Sequence, residues 1–146
     1  MSRRKTLCFA TVSPESIHAQ RLCQGIFKQC EKYCYNVAQF ASMINLDFYF
    51  KDYAQAEENI YYLPSFDRFD GVILDTISLM EGNSSRLIDR VYEKIDPDKK
   101  TPVISIGIPF KEIKAIDNSN ENQIRELCRH AINEHGCKDI LILTGI

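Results

Sequence analysis

Four short polar segments, each following an apolar run, contain the residue types that could hold or transform a small molecule. They are Ser13 with Glu15, Asp75 with Thr76, residues 107–110 and residues 117–119. Hydroxyls and carboxylates can bind a polar ligand or act as acid–base groups. Their use depends on the elements between them, because the strands of one parallel sheet open their ligand crevice at a single edge.

The common phosphate and nucleophile motifs are missing from these segments. A dinucleotide site needs G-x-G-x-x-G after the first strand, where glycines let the backbone approach a pyrophosphate. The corresponding loop, residues 12–16, reads VSPES. The sequence also has no P-loop and no G-x-S-x-G turn for a serine nucleophile. We therefore expect no cofactor.

Histidines and cysteines show no metal-binding or catalytic spacing. His18 and His130 fall within predicted helices and His135 in a last helical turn, so all three are expected to be structural or solvated. The chain has six cysteines and no C-x-x-C pair, and three of the six share one helix face, as small buried apolar residues do. The sequence predicts reduced thiols, no metal and no catalytic activity.

Asp75 ends a buried apolar run and resembles the phospho-accepting aspartate of two-component receiver domains. A receiver also needs acidic neighbours for magnesium and a lysine after its last strand. Only Glu15 is acidic after the first strand, and the chain ends Thr144-Gly145-Ile146. A receiver is therefore the less favoured alternative, and it belongs to a different class of protein.

Composition excludes further classes. The 146 residues, 45% of them hydrophobic, suit one domain, residues 1–146. A net charge of −2 and a pI near 5.9 argue against binding to nucleic acid or to an anionic membrane. No apolar run reaches the roughly 20 residues of a membrane-spanning helix, and residues 6–12 are too short for a signal peptide. We expect a cytoplasmic protein.

Apolar runs alternate with amphipathic patterns along the chain. The runs predict strands at residues 6–12, 37–42, 69–75, 102–106, 113–116 and 138–144. No short hairpin turn joins neighbouring strands, so the pattern predicts a parallel, doubly wound α/β sheet with helices on both faces. The aromatic segment at residues 48–53 fits no element.

Helices are predicted in the intervals. Ser13 caps the first, and its apolar stripe comprises Ile17, Leu22, Cys23, Ile26, Phe27, Cys30 and Cys34. Residues 54–63 are compatible with a second helix, and Ser84 or Ser85 caps a third. The last ends at Gly136 and has a stripe formed by Ile124, Leu127, Cys128, Ala131 and Ile132.

Asp117-Asn118 opens this last helix, which continues into HAINEHG at residues 130–136 and KDILILTG at 138–145. These segments resemble the DN…HLI..GH..IAFITG stretch of the lac/gal repressor and periplasmic sugar-binding superfamily. The start of the chain, residues 6–35, is similar to that family's first strand and helix. The stretch from 57 to 74, EENIYYLPSFDRFDGVIL, resembles repressor-like sensor regions attached to bacterial diguanylate cyclases.

The resemblance implies an effector cleft between two lobes, and this chain is expected to be the amino-terminal lobe alone. The family's helix-turn-helix and the cyclase motif are both missing, so we expect no nucleic-acid contact by this chain. The implied ligand-facing candidates are Ser13, Glu15, Asp75, Thr76, Gly107, Ile108, Asp117 and Asn118. A plain helix cap explains Asp117 and Asn118 equally well, and a plain turn explains Gly107.

The resemblance also implies partners. The effector is expected to be a small polar molecule such as a sugar, with a diguanylate cyclase as the output. A lobe of a lac/gal-type transcriptional regulator fits the same residues. The family's sensors pair side by side, and the aromatic segment with Tyr61 and Tyr62 adds apolar surface, so we expect a homodimer. The alternative is that these rings close the sheet edge of a monomer.

Overall fold

Five strands, all running in the same direction, form the centre of the fold. The computed structural model describes residues 3–43, 56–80, 85–95, 100–116 and 121–141. Its strands are β1 (Thr6–Val12), β2 (Asn36–Ser42), β3 (Gly71–Asp75), β4 (Val103–Ile106) and β5 (Lys114–Ile116). They lie in the order β2-β1-β3-β4-β5, and every pair is parallel. The predicted α/β sheet flanked by helices is confirmed, as a single domain.

Helices lie between β1 and β2 and between β3 and β4, and one more follows β5. They are α1 (Ile17–Lys32), α2 (Thr76–Leu79), α3 (Ser85–Lys94) and α4 (Glu121–His135), with 3-10 turns at Asn59–Tyr62 and Phe66–Arg68. The predicted second helix is shorter than expected within the described part, where residues 56–58 are helical before the first of these turns. None of the described helices combines the length and apolar character needed to cross a bilayer. The aromatic residues at 48–53 and the possible cap Ser84 lie outside the described ranges.

The main core lies on the sheet face that is covered by α2 and α3. Alternate residues of a strand point to opposite faces, so one set of β1 and β3 side chains meets these helices. The buried cluster comprises Cys8, Ala10, Val12, Val72, Leu74, Leu79, Leu87, Ile88, Val91 and Ile95, with Tyr61 and Phe66 of the 3-10 turns. β3 is buried at every position, as its unbroken apolar run predicts.

Helix α1 starts later than predicted. Ser16, not Ser13, is the cap: its hydroxyl accepts a hydrogen bond from the Ala19 amide at 3.1 Å. Ser13 has a φ of +49° and its carbonyl accepts from the Ser16 N–H at 2.9 Å, so a tight turn comes before the helix. The predicted apolar stripe is covered only in part. Cys30 is buried and Leu22, Cys23 and Ile26 are half-buried, whereas Ile17, Phe27 and Cys34 are exposed.

The predicted last strand, residues 138–144, is wrong over its described residues. Residues 138–141 form no strand and are exposed; residues 142–144 lie outside the described ranges. β5 is the edge strand of the described sheet, and residues 138–141 pair with none of its strands. The end of α4 is as predicted: Gly136 has a φ of +64° and its N–H bonds to the Ile132 carbonyl.

Candidate functional site

The strand order reverses direction beside β1. The chain passes from β1 to β2 on one side and then to β3 on the other, so the carboxyl ends of β1 and β3 border a switch point. Loops that leave adjacent strands in opposite directions open a crevice there, the usual ligand position in such sheets. The residues that follow β1 and end β3 are therefore the first place to look for a site.

Asp75 ends β3 at this point and is inaccessible to solvent. Its Oδ2 accepts a hydrogen bond from the Thr11 hydroxyl at 2.8 Å, and its Oδ1 lies 3.2 Å from Nε2 of His18. The same Oδ1 caps α2 through the Ser78 amide at 3.4 Å. Both carboxylate oxygens are thus occupied by groups from β1, α1 and α2.

His18 is the exposed member of this cluster. It lies in the first turn of α1, and 42% of its side chain is accessible, whereas the Asp75 side chain is fully covered. The hydrogen bond to Asp75 holds the His18 ring through Nε2, and Nδ1 of the same ring has no protein partner among the described residues. A ring held through one nitrogen presents the other to a ligand as a donor or acceptor, according to its tautomer.

Buried hydroxyl groups stabilise the cluster around Asp75 and His18 through further hydrogen bonds. The Ser78 hydroxyl accepts from the Val12 amide at 3.0 Å and lies 3.3 Å from the Thr11 hydroxyl. Tyr61 is 1% exposed, accepts from the Ser42 amide at 3.0 Å and donates to the Thr11 carbonyl. Because these bonds link β1, β2, β3 and α2, the carboxyl edge is braced by side chains as well as by the sheet.

The predicted residues after β3 and β4 form a second part of this edge. The Thr76 hydroxyl is buried and donates toward the carbonyls of Ile106 at 3.0 Å and Ile108 at 2.7 Å. Gly107 has a φ of +104°, and a Cβ there would lie 2.3 Å from Cγ1 of Ile77. The loop after β4 is therefore fixed on α2, with the Ile108 side chain partly exposed.

The eight predicted positions differ in what they offer to a ligand. Asp75 is the last residue of β3, and the carboxyl ends of β1, β3 and β4 are followed by Ser13, Thr76, Gly107 and Ile108. Glu15 is exposed in the turn before α1. Asp117 and Asn118 lie outside the described residues. Asp75 and Thr76 are covered by protein, so they can position other groups, whereas Ser13, Glu15 and Ile108 are accessible. Whether any of them binds a ligand stays a prediction.

Sequence reasoning missed His18, Thr11 and Ser78. The sequence predicts a structural or solvated His18, because this residue falls within a predicted helix and the three histidines show no metal-binding spacing. The available signal was its position in the first turn after β1, which places it at the same edge as Asp75. Thr11 and Ser78 gave no signal of their own, because a threonine in a strand and a serine in a helix are ordinary residues there.

Another concavity, of about 410 Å³, lies on the α1 face of the sheet and is almost wholly apolar. A third, of about 580 Å³, lies between the end of α3 and the amino ends of β4 and β5. Neither includes His18 or Asp75. Within the described ranges, no three side chains of the metal-binding types come together to hold an ion.

The sequence matches no protein-family model and no curated protein.

Asp75→Ala is expected to lower the free energy of unfolding by about 2 kcal/mol, because it leaves the Thr11 hydroxyl and the Ser78 amide without their acceptor. Urea denaturation at pH 7 measures the change. Asp67→Ala is the control, since Asp67 is exposed and its loss should change stability by less than about 0.5 kcal/mol. Equal effects of the two variants would contradict a structural role for the Asp75 network.

Proposed function

We propose that this chain is the amino-terminal lobe of a two-lobed effector sensor similar to the lac/gal repressor and periplasmic sugar-binding superfamily. The observation that carries the proposal is the pair formed by buried Asp75 and accessible His18 at the switch point of the sheet. An imidazole fixed by a buried carboxylate is a pre-oriented polar contact, and such contacts are what small-molecule sites use for specificity.

The residues at this edge divide into two roles. His18, Ser13 and Glu15 contact the effector, together with Ile108, whose exposed side chain supplies an apolar surface. Asp75 and Thr76 position them, the first through the ring of His18 and the second through the loop at Gly107 and Ile108. Polar groups beside apolar surface suit a small polar molecule such as a sugar, which has hydroxyls along its edge and C–H groups on its faces.

The covered state of Asp75 favours this binding role over phosphoryl transfer. A phospho-acceptor must present an oxygen to the phosphodonor, but both oxygens of Asp75 are hydrogen-bonded inside the protein. Incubation with a small phosphodonor and magnesium, followed by mass spectrometry, tests this directly. An acyl phosphate on Asp75 would overturn the binding proposal.

The sensor is proposed to pass effector-driven closure of its two lobes to an output, with a diguanylate cyclase as the first candidate. The support is the resemblance of residues 57–74 to cyclase-linked sensor regions. A transcriptional regulator is the alternative output. The two outputs are distinguished by whether the native gene also encodes a cyclase or a DNA-binding domain. A homodimer and a cytoplasmic location complete the proposal.

One lobe alone is expected to bind sugars weakly, with a dissociation constant near 1 mM or higher, because half a cleft leaves much of the ligand in water. Titration calorimetry of residues 1–146 with a panel of sugars measures this. Micromolar binding to the single lobe would contradict the two-lobed arrangement.

In the two-lobed protein, a thermal-shift screen identifies the effector. His18→Ala is then expected to weaken its binding about tenfold, the loss of one good polar contact. His130→Ala is the matched control, since His130 is an exposed histidine of α4 whose ring lies against His135 and not against Asp75. Equal affinities of wild type and His18→Ala would remove His18 from the site.

A further inference from the structure

The sheet face on the α1 side is only partly covered. α1 lies beside an apolar groove of about 410 Å³, and the strands contribute Leu7, Ile73, Ile104, Ile106 and Ile116 to its floor. Gly25, Ile26 and Cys30 of α1 form its wall. Gly25 leaves a notch there, since a Cβ at this position would meet nothing within 4 Å. Ile116 is more than half exposed, so none of the described elements covers β5 on this face.

Helix α4 has an apolar surface that no other element covers in the described part of the chain. It has no buried residue, although its sequence has a regular apolar stripe. Ile124, Leu127 and Ile132 on this stripe are 56%, 68% and 49% exposed. Its charged residues pair with one another instead, Arg125 with Glu121 and Arg129 with Glu126. An amphipathic helix of this kind is normally stabilised by burying its stripe.

The two surfaces match in size and chemistry. The open face from β3 to β5 spans two strand spacings, about 10 Å, which is the width of one helix. α4 has 15 residues and is therefore about 22 Å long. Both surfaces are apolar: the lining of the groove and the stripe along α4. One helix laid beside α1 would cover both.

We propose that α4 of a second copy of this chain occupies the groove, so that two chains exchange their last helices in a symmetric dimer. The described part of each chain contributes one such groove and one undocked α4, so reciprocal exchange covers both grooves and both helices. α4 does not cover the sheet of its own chain in this structure. In the exchanged dimer, its apolar stripe is buried against the sheet of the second copy. Exchange of an identical element is a common route to dimers.

This inference gives the proposed homodimer its contact surface, and it is independent of the effector site. The groove and α4 contain none of the residues assigned to effector binding. A chain that is monomeric would remove both the homodimer and the exchange. A dimer that forms without α4 would remove the exchange alone, and neither result bears on His18.

The first experiment measures the dimer by sedimentation equilibrium at several concentrations. Leu127→Lys is expected to raise the dissociation constant at least about tenfold, because a charge replaces a leucine in an apolar contact. Glu126→Lys is the control: it introduces the same side chain on the opposite face of α4 and should change the constant less than about twofold. Both positions are exposed, so neither variant is expected to unfold the chain.

The second experiment identifies the groove that receives the helix. A photoreactive p-benzoyl-phenylalanine in place of Leu127 is cross-linked in a mixture of ¹⁵N-labelled and unlabelled chains, and the linked peptides are mapped by mass spectrometry. Mixed-isotope links to residues 25–35 or 103–116 are expected. A probe in place of Arg129, on the polar face, should link to neither.

Two results would overturn the proposal. Links to the groove that occur only within one isotope would show that α4 covers the sheet of its own chain. Links between chains that avoid the groove peptides would show that the dimer uses another surface. Gly25→Trp gives an independent measure, because it fills the notch in the groove wall while leaving α1 helical. It should weaken the dimer as Leu127→Lys does, and an unchanged dimer would exclude the groove.

Discussion

Replacing Gly107 by alanine is expected to lower the free energy of unfolding by about 3 kcal/mol, the combined cost of backbone strain and overpacking. The φ of +104° at this residue lies in a region that side chains rarely allow. The new Cβ would also lie 2.3 Å and 2.7 Å from two carbons of the Ile77 side chain. Chemical denaturation measures the loss.

A second substitution separates the two causes. Ile77→Ala removes the side-chain atoms that the new Cβ meets, so Gly107→Ala combined with Ile77→Ala should recover the overpacking part and keep the backbone part. Gly136→Ala is the matched control: Gly136 also has a positive φ, but its Cβ would meet nothing within 4 Å. Its cost should be about 1 kcal/mol. Equal losses at Gly107 and Gly136 would mean that contact with Ile77 is unimportant.

This prediction also tests the interpretation of Gly107 as a ligand-facing residue. The sequence is compatible with two roles for Gly107, a plain turn and a ligand-facing position. Its close approach to Ile77 explains the need for glycine on structural grounds. The Thr76 hydroxyl adds to it by binding the carbonyls on either side. Gly107 therefore shapes the loop that presents Ile108, and it needs no ligand of its own to explain it.

The sheet was predictable because its strands have strong local signals. β1 and β3 are continuous apolar runs, and their positions follow from period and length alone. The start of α1 was not, because Ser13 and Ser16 are equally good caps in the sequence. The choice depends on the backbone at Ser13, whose carbonyl accepts from the Ser16 amide. Such a turn is a tertiary feature, since Ser13 also donates its N–H to the Ser42 carbonyl at 2.9 Å.

The candidate site was predictable only as an edge. The rule for parallel sheets places Ser13, Asp75 and Gly107 together from their positions after strands. The partner of Asp75 could not be predicted, because His18 is 57 residues away in the sequence and approaches only when β1 and β3 pair. The exposed α4 and residues 138–141 show the opposite case, in which a good local pattern has no described neighbour to pack against.

Removing the hydroxyl of Tyr61 is the second large change. Tyr61→Phe is expected to lower the free energy of unfolding by about 3 kcal/mol at pH 7, because the Ser42 amide and the Thr11 carbonyl each lose a buried partner. The ring is 1% exposed, so water cannot replace the hydroxyl without opening the core. Tyr33→Phe is the control, since Tyr33 is 61% exposed and should lose less than about 0.5 kcal/mol.

The Tyr61 hydroxyl also makes the stability difference between the wild type and Tyr61→Phe depend on pH. Burial raises the pKa of Tyr61 from 10.0 to about 12, because the charged phenolate is poorly solvated inside the protein. Above pH 10 the unfolded chain releases this proton while the folded chain retains it, so stability is lost as the pH rises from about 10 to about 12. Two pKa units correspond to about 2.7 kcal/mol.

Tyr61→Phe has no such proton, so its disadvantage should shrink over this interval and fall below about 1 kcal/mol by about pH 12. Burial also raises the pKa of the Cys8 thiol to about 12, but this contribution is common to wild type and variant and cancels in their difference. Urea denaturation of both proteins at pH 7, 9, 10, 11 and 12 gives the curve. A constant difference from pH 7 to pH 12 would mean that the Tyr61 hydroxyl titrates alike in the folded and unfolded chains, and that its environment is not the closed one formed by Ser42 and Thr11.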